Sequence, residues 1–350
     1  MNRRDLLKFS TITSTALFIN RLLLFSQSNE NTLSSKLNKP NKLRKGDTVG
    51  IVSPATAVSS PDDIDKAKEL LDYLELKGEF SKDFEIQEGY KTKPSSLRAA
   101  SINSFFENKD IKGIISIRGG YGSMGILPYL DYDLIKKNPK IFVGYSDITA
   151  MHLAFNKLSL LSTLHGPMVL SSFSGNTIEY YKTALFTNKP LGKYVNPSMD
   201  VFRSDNREFV IKEGIAEGEL TGGNLSLICS LIGTKYEIET KGRLLFIEDV
   251  GEEPYRIDRM LTQLNLAGKF KDIKGIVFGK CSECNNKSAN PVWDYTLMEV
   301  LFEQFKNSDV PVMYGLLFGH TSFQFPIPYG VIGKINTEEK SLEIMESFCK

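Results

Sequence analysis

From Gly46 onward, short apolar runs alternate with longer stretches in which apolar residues recur at helical spacing. The runs DTVGIVSPA, FEIQEG, KGIISIRGG and IFVGYSD are typical of buried strands that close on small residues. The stretches SPDDIDKAKELLDYLELKG and SSLRAASINSFFENKD are typical of amphipathic helices, each with a serine near its start suited to capping. This succession predicts a parallel sheet covered by helices on both faces, with its site beyond the carboxyl ends of the strands.

The alternation ends at a polar segment that contains proline and asparagine. We therefore predict an N-terminal α/β domain over 43–187, a linker over 188–208 and a C-terminal domain over 209–350. The second domain mixes strands such as RLLFIED and KGIVFGK with a helix in PYRIDRMLTQLNLAGKF. Its last segment, GVIGKINTEEKSLEIM, predicts a hairpin.

Residues 1–42 are predicted to be a leader and linker, outside the fold. The run from Arg3 to Lys8 resembles a twin-arginine export signal, and the apolar stretch Ile12–Phe25 follows it. Asn20 and Arg21 interrupt that stretch, and no A-x-A cleavage site is visible. The leader predicts a periplasmic protein, and the alternative is a cytoplasmic protein with an amphipathic leader.

Charge and composition exclude some partners. The 43 Lys and Arg residues nearly balance the 42 Asp and Glu residues, which gives a net charge of +1 and no electrostatic footprint for nucleic acid. Three scattered histidines supply no recognisable zinc-ligand set, so we expect neither a metal nor another cofactor. Cys281 and Cys284 form a CxxC pair, interpreted as a turn after a strand or, in an exported protein, a local disulfide.

The segment IFVGYSD places Ser146 at a sharp turn between a strand and a helix. Gly144 relieves crowding there, so the serine hydroxyl is exposed above the sheet in the manner of a nucleophile elbow, although GYSD differs from G-x-S-x-G. The helix that follows presents free N–H groups, including that of Asp147, to a developing negative charge. The alternative is a plain N-cap serine.

A second loop, Arg118–Gly122, also follows a predicted strand. Its three glycines let the backbone approach a ligand and direct N–H groups at it, as an oxyanion hole or a phosphate cradle requires. The loop matches neither the dinucleotide nor the P-loop pattern, which argues against a nucleotide-binding protein.

A serine nucleophile needs a base and a carboxylate that orients it. His152 lies on the helix after Ser146 and is turned away from the hydroxyl, whereas His165 in STLHGPM and His320 in FGHTSF both remain candidates. Glu248 ends the apolar strand RLLFIED and is a candidate for the carboxylate. The alternative is that Glu248 only marks the end of that strand.

The order of these segments resembles the LD-carboxypeptidase family, which includes the microcin C immunity peptidases. The matching segments are GDTVGIVSPA, RGGYG, GYSDITAMHLA, HGPM, GELTGGNLSLICSLIGT, LFIEDVGEEPYRIDRMLTQL and FGH, which together span roughly Leu43 to Met345. The resemblance implies a flavodoxin-like N-terminal domain, a mixed α/β C-terminal domain and an active site in the cleft between them. It also implies a homodimer.

The resemblance also assigns site residues. It implies a catalytic triad of Ser146, Glu248 and His320, and an oxyanion hole formed by the backbone N–H groups of Gly120 and Asp147. We further expect the substrate to be bound by Gly119, Tyr121 and His165. Gly125 departs from the family, which commonly has an arginine there, and the export-like leader is a second departure because the family is usually cytoplasmic.

The activity implied by the resemblance is hydrolysis of a murein tetrapeptide, with release of its terminal D-alanine through an acyl-enzyme. One alternative is the same chemistry on a peptidyl- or aminoacyl-nucleotide. A second alternative is an exported protein that binds a peptide without catalysis.

Overall fold

The computed structural model describes residues 37–58, 60–81, 94–198, 207–287 and 295–350. Two β-sheets with helices on their faces account for most of these residues. The strand predicted in FEIQEG and residues 1–36 of the predicted leader lie outside the described ranges.

The first sheet has a doubly wound order. Its strands are β1 (Thr48–Val52), β2 (Lys77–Phe80), β3 (Ile111–Ser116), β4 (Ile141–Gly144), β5 (Leu164–His165) and β12 (Ile327–Pro328). The first five are parallel in the order β2-β1-β3-β4-β5, which is the flavodoxin-like order, and β12 adds an antiparallel edge. The predicted flavodoxin-like fold of the first half is confirmed.

In the described ranges these strands are connected by α1 (Pro61–Tyr73), α2 (Ser95–Glu107), α3 (Tyr132–Lys137) and α4 (Thr149–Ser159), while α5 (Thr177–Phe186) leads from β5 to the second sheet. Ser60 caps α1 by accepting the N–H of Asp62 at 3.1 Å, as expected. The residue before α2 is Pro94, so the expected serine cap is absent there.

Strand β2 was not predicted, because the helical pattern was continued through Gly78. It lies at the edge of the sheet and is mostly exposed, so its side chains carry no apolar alternation that would mark a strand.

The second sheet is mixed. It contains β6 (Pro190–Tyr194), β7 (Phe209–Lys212), β8 (Ile215–Asn224), β9 (Arg243–Glu248), β10 (Gly275–Gly279), β11 (Val312–Leu316), β13 (Ile332–Asn336) and β14 (Ser341–Ser347). Strands β8 to β11 are parallel to one another, and the outer pairs are antiparallel. Helices α6 (Leu225–Ser230), α7 (Pro254–Leu266) and α8 (Leu297–Phe305) accompany it. The predicted C-terminal hairpin is confirmed as β13 and β14.

The two sheets are interlocked by strands from the other half of the chain. Strand β6, inside the predicted linker, pairs with β14, and β12 from the C-terminal half pairs with β5. The Thr149 hydroxyl accepts the N–H of Asn224 at 3.0 Å and so joins the start of α4 to the end of β8. These connections bring the carboxyl ends of β4 and β9 together.

The last residues of the predicted leader belong to this body. The N–H of Asn38 donates to the carbonyl of Leu160 at 2.7 Å, and residues 38–350 form one compact unit.

None of the helices in the described ranges is long and apolar enough to cross a membrane. All four cysteines are buried free thiols.

Gly222 allows β8 to approach β9 closely. A Cβ at Gly222 would lie 1.8 Å from the carbonyl oxygen of Phe246, so Gly222→Ala must displace backbone and should cost about 4 kcal/mol or more. Gly268 also has a positive φ, +72°, but open space around it, and Gly268→Ala should cost about 1 kcal/mol. Urea unfolding of both variants measures the difference, and equal losses would contradict this account.

Candidate active site

Ser146 lies where β4 gives way to a short 3₁₀ helix, Ser146–Ile148, and then α4. Its φ is +63°, a left-handed value that is costly for a residue with a Cβ. His152 supports this turn from below, because its ring lies 2.8 Å from both the Gly144 carbonyl and the Thr163 hydroxyl. The strained turn presents the serine hydroxyl at the carboxyl end of the sheet, as the sequence predicted.

His320 connects Ser146 to Glu248 across the two sheets. Its Nε2 lies 3.0 Å from the Ser146 hydroxyl, and its Nδ1 lies 2.7 Å from Oε2 of Glu248. Gly319 makes this approach possible, because a Cβ there would lie 2.4 Å from the Glu248 carboxylate. The structure therefore brings together the three residues expected to form the triad, in the order that a nucleophile, a base and an orienting acid require.

The electrostatics of this pair raise the pKa of the His320 imidazole above its ordinary value. Burial alone would raise the pKa of Glu248 and lower that of His320. Their mutual attraction and hydrogen bond act in the opposite direction and prevail. The pKa of Glu248 therefore lies below its ordinary value and the pKa of His320 lies above its ordinary value.

The glycine loop lies directly against the serine. A Cβ at Gly119 would come within 3.0 Å of the Ser146 Cβ, and Gly120, with φ +116°, packs on Thr56. Within the described ranges, no protein group accepts a hydrogen bond from the backbone N–H of Gly120 or of Asp147. These two N–H groups are available to a negative charge that develops beside Ser146.

A cleft of about 350 Å³ opens over Ser146 and His320. Of the described residues, those that line it are Asp63, Ile117, Arg118, Gly119, Gly120, Tyr145, Ser146, Met168, Leu170, Ser171 and His320. Tyr121, which we expected to bind substrate, is 73% exposed and lies outside this lining, while its N–H donates to the Thr56 hydroxyl at 3.1 Å.

The expectation that His165 binds substrate needs correction. Its side chain is fully buried beneath the site, against the rings of Tyr145, Phe246 and Phe318. Burial lowers its pKa to about 4, so it is a neutral core residue with no surface to offer a ligand. His152 is likewise buried, and burial lowers its pKa to about 3.

Two residues that touch the glycine loop were not singled out from the sequence. Arg98 on α2 is 1% exposed, and Thr56 follows β1. A signal existed for Arg98, because it lies on the face of α2 that also buries Ala99, Ile102 and Phe105. An arginine at a core position of a helix must have a buried partner.

Gly125 and the CxxC pair are two further features noted in the sequence. Gly125 is exposed, and a Cβ there would lie 2.9 Å from the Ser95 hydroxyl. Ser282, between the two CxxC thiols, donates its hydroxyl to the backbone carbonyl of His320 at 2.5 Å.

In the parts of the chain that the structure describes, no group of three or more His, Cys, Asp or Glu side chains could hold a metal ion.

Both halves of the chain match known protein families. The family description LD-carboxypeptidase N-terminal domain matches residues 49–166, and LD-carboxypeptidase C-terminal domain matches residues 217–335. A probable murein peptide carboxypeptidase of Bacillus subtilis (strain 168) is 38% identical over 306 residues, which cover 87% of this chain and 94% of the relative.

Two solved structures share this fold over most of the chain. The microcin C7 self-immunity protein MccF in complex with glutamyl sulfamoyl guanosine has a TM-score of 0.80 at 27% identity, covering 89% of this chain and 99% of MccF. A muramoyltetrapeptide carboxypeptidase from Oxalobacter formigenes has a TM-score of 0.72 at 27% identity, covering 85% of this chain and 99% of the other.

The pH dependence of Ser146 reactivity tests the role of Glu248. His320 must be neutral to accept the serine proton, so the rate of labelling by a fluorophosphonate should rise with pH, with a midpoint above 6.5. Glu248→Gln removes the charge that raises the pKa of His320, so the midpoint should move to lower pH. Glu217→Gln, which removes a carboxylate paired with Lys334 on the second sheet, is the control and should leave the midpoint unchanged. An unmoved midpoint in Glu248→Gln would refute this role.

Proposed function

This chain belongs to the LD-carboxypeptidase family, and from that premise we propose that it releases the terminal D-alanine of murein tetrapeptides through an acyl-enzyme on Ser146. The observation that carries the proposal is the continuous hydrogen-bonded chain from Ser146 through His320 to the buried Glu248. The names of the Bacillus subtilis relative and of the Oxalobacter formigenes protein support the choice of substrate.

The first half of the reaction is acylation. Nε2 of His320 takes the hydroxyl proton while Oγ of Ser146 attacks the carbonyl carbon between the diamino acid and D-alanine. Glu248 stabilises the imidazolium and holds the tautomer in which Nδ1 carries a proton. The N–H groups of Gly120 and Asp147 stabilise the oxyanion. The C–N bond then breaks, and His320 passes its proton to the amine of the departing D-alanine.

The second half is deacylation. Water attacks the ester carbonyl while His320 accepts its proton, and the same N–H groups stabilise the second oxyanion. Collapse returns the proton to Oγ of Ser146 and releases the tripeptide. No step needs a metal ion, because the nucleophile, the base and the electrophilic donors are all protein groups.

A second substrate class is a peptidyl- or aminoacyl-nucleotide. It is favoured by the likeness to MccF, whose solved complex contains glutamyl sulfamoyl guanosine. The chemistry at Ser146 would be the same, and only the leaving group would differ.

Export through the leader and assembly into a homodimer stay predictions.

The primary test is mass spectrometry of a murein tetrapeptide incubated with residues 38–350 in the presence of EDTA. The wild type should release one D-alanine, and Ser146→Ala should lose about 10⁶-fold in turnover. A folded wild type that leaves the tetrapeptide intact but cleaves an aminoacyl-nucleotide would favour the second substrate class. Failure on both substrates would favour a protein that binds peptides without catalysis.

Arg118 supplies a test of carboxypeptidase specificity. It is the only lysine or arginine among the described residues that line the cleft, so it is positioned to attract the free carboxylate of the terminal residue. Arg118→Gln should lower kcat/KM for the tetrapeptide acid about 30-fold or more, while kcat/KM for the C-terminal amide changes much less. This role would be refuted if Arg118→Gln lowered kcat/KM equally on both substrates. It would also be refuted if the wild type had the same kcat/KM for the amide as for the acid.

A further inference from the structure

The peptide bond between Gly122 and Ser123 is held from both sides by buried charged side chains. The carbonyl of Gly122 accepts hydrogen bonds from both terminal nitrogens of Arg98, each at 3.3 Å. The N–H of Ser123 donates to Oδ2 of Asp147 at 2.8 Å. Arg98 is 1% exposed and Asp147 is 4% exposed, so both charges depend on these protein partners.

Each of these side chains is anchored on a different element. Arg98 extends from α2 and also donates to the Pro54 carbonyl after β1 and to the Ser95 hydroxyl at 3.1 Å. Asp147 follows Ser146 directly, and its backbone carbonyl accepts the Ser123 hydroxyl. The loop that carries Gly119 and Gly120 is thereby joined to the nucleophile on one side and to the body of the first sheet on the other.

The glycine loop needs such anchoring. Gly120 and Gly122 have φ values of +116° and +121°, and glycine in such regions restricts its own backbone very little. An oxyanion hole works only when its donors are fixed before the charge develops, since reorganisation at that moment costs part of the stabilisation. Thr56 also holds the loop, because its hydroxyl accepts the N–H of Tyr121 at 3.1 Å and its own N–H donates to the Gly119 carbonyl at 3.4 Å.

We propose that Arg98 and the carboxylate of Asp147 are positioning residues that hold the Gly120 N–H at the oxyanion of the Ser146 reaction. The inference rests on the proposed function, because it requires Ser146 to be the nucleophile. Neither side chain touches the substrate. Each acts through the Gly122–Ser123 peptide and therefore on transition-state stabilisation rather than on substrate affinity.

The decisive variant is Arg98→Met, which removes the charge and the donors but keeps much of the length. We expect kcat for the tetrapeptide to fall about 100-fold at nearly unchanged KM, because an oxyanion donor acts only in the transition state. The rate of fluorophosphonate labelling of Ser146 should fall in parallel, while its pH midpoint, which reports His320, stays in place. Arg98→Lys keeps the charge and should recover part of the loss.

Lys140→Met is the matched control. Lys140, which directly precedes β4, is a second buried cation of the first half of the chain, and its Nζ donates to the Phe105 carbonyl at 2.6 Å, away from the glycine loop. Its loss should lower the midpoint of thermal unfolding without changing kcat. If Arg98→Met does not fold, Arg98→Lys and Asp147→Ala carry the same comparison.

The outcomes separate this inference from the proposed function. A wild type that the fluorophosphonate does not label would refute the proposed function itself. A labelled wild type with an equally reactive, folded Arg98→Met would refute only the positioning role. The positioning role would also be refuted if Lys140→Met lost as much kcat as Arg98→Met at the same decrease in the midpoint of thermal unfolding. The loss of kcat would then follow stability alone.

Discussion

The fully buried carboxylate of Glu248 is the group on which the arrangement of the site depends. A buried carboxylate stays ionised only when a hydrogen-bond donor or a cation lies beside it. For Oε2 of Glu248, that donor is Nδ1 of His320. The absence of a Cβ at Gly319 lets the histidine loop come close enough to make the contact. The same contact directs Nε2 of the imidazole toward Ser146 and raises the pKa of His320. The carboxylate of Glu248 therefore sets both the orientation and the basicity of the base.

The nucleophile and its base belong to different sheets, so the accuracy of the site depends on how firmly the sheets are joined. Strand β12 closes the edge of the first sheet with residues from the C-terminal half, and the Thr149 hydroxyl binds the end of β8. Tyr329 lies between the two halves, stacked on His152 and hydrogen-bonded to the Gly222 carbonyl at 2.9 Å. A change in any of these contacts would alter the distance between Ser146 and His320 without touching either residue.

Much of the fold could be predicted because the central strands are buried on both faces and therefore uniformly apolar. The exposed edge strand β2 lacks that pattern, and the exchange of β6 and β12 between the halves is a long-range pairing that local periodicity does not encode. The turn at Ser146 was readable from Gly144 and the helix after it. The sequence pattern could not decide whether His165 or His320 is the base, because that depends on which loops meet in space. Only the family resemblance pointed to His320. Arg98 was missed because its contacts with Pro54 and Gly122 join segments that are far apart in the sequence.

The central claim is that Ser146 carries the acyl group during turnover, and trapping that intermediate tests it most directly. Wild-type protein turning over a murein tetrapeptide should be quenched in acid, digested and searched by mass spectrometry for a tripeptide ester. The account predicts this adduct on the peptide that contains Ser146. Efficient release of D-alanine with no adduct, together with undiminished turnover by Ser146→Ala, would contradict it.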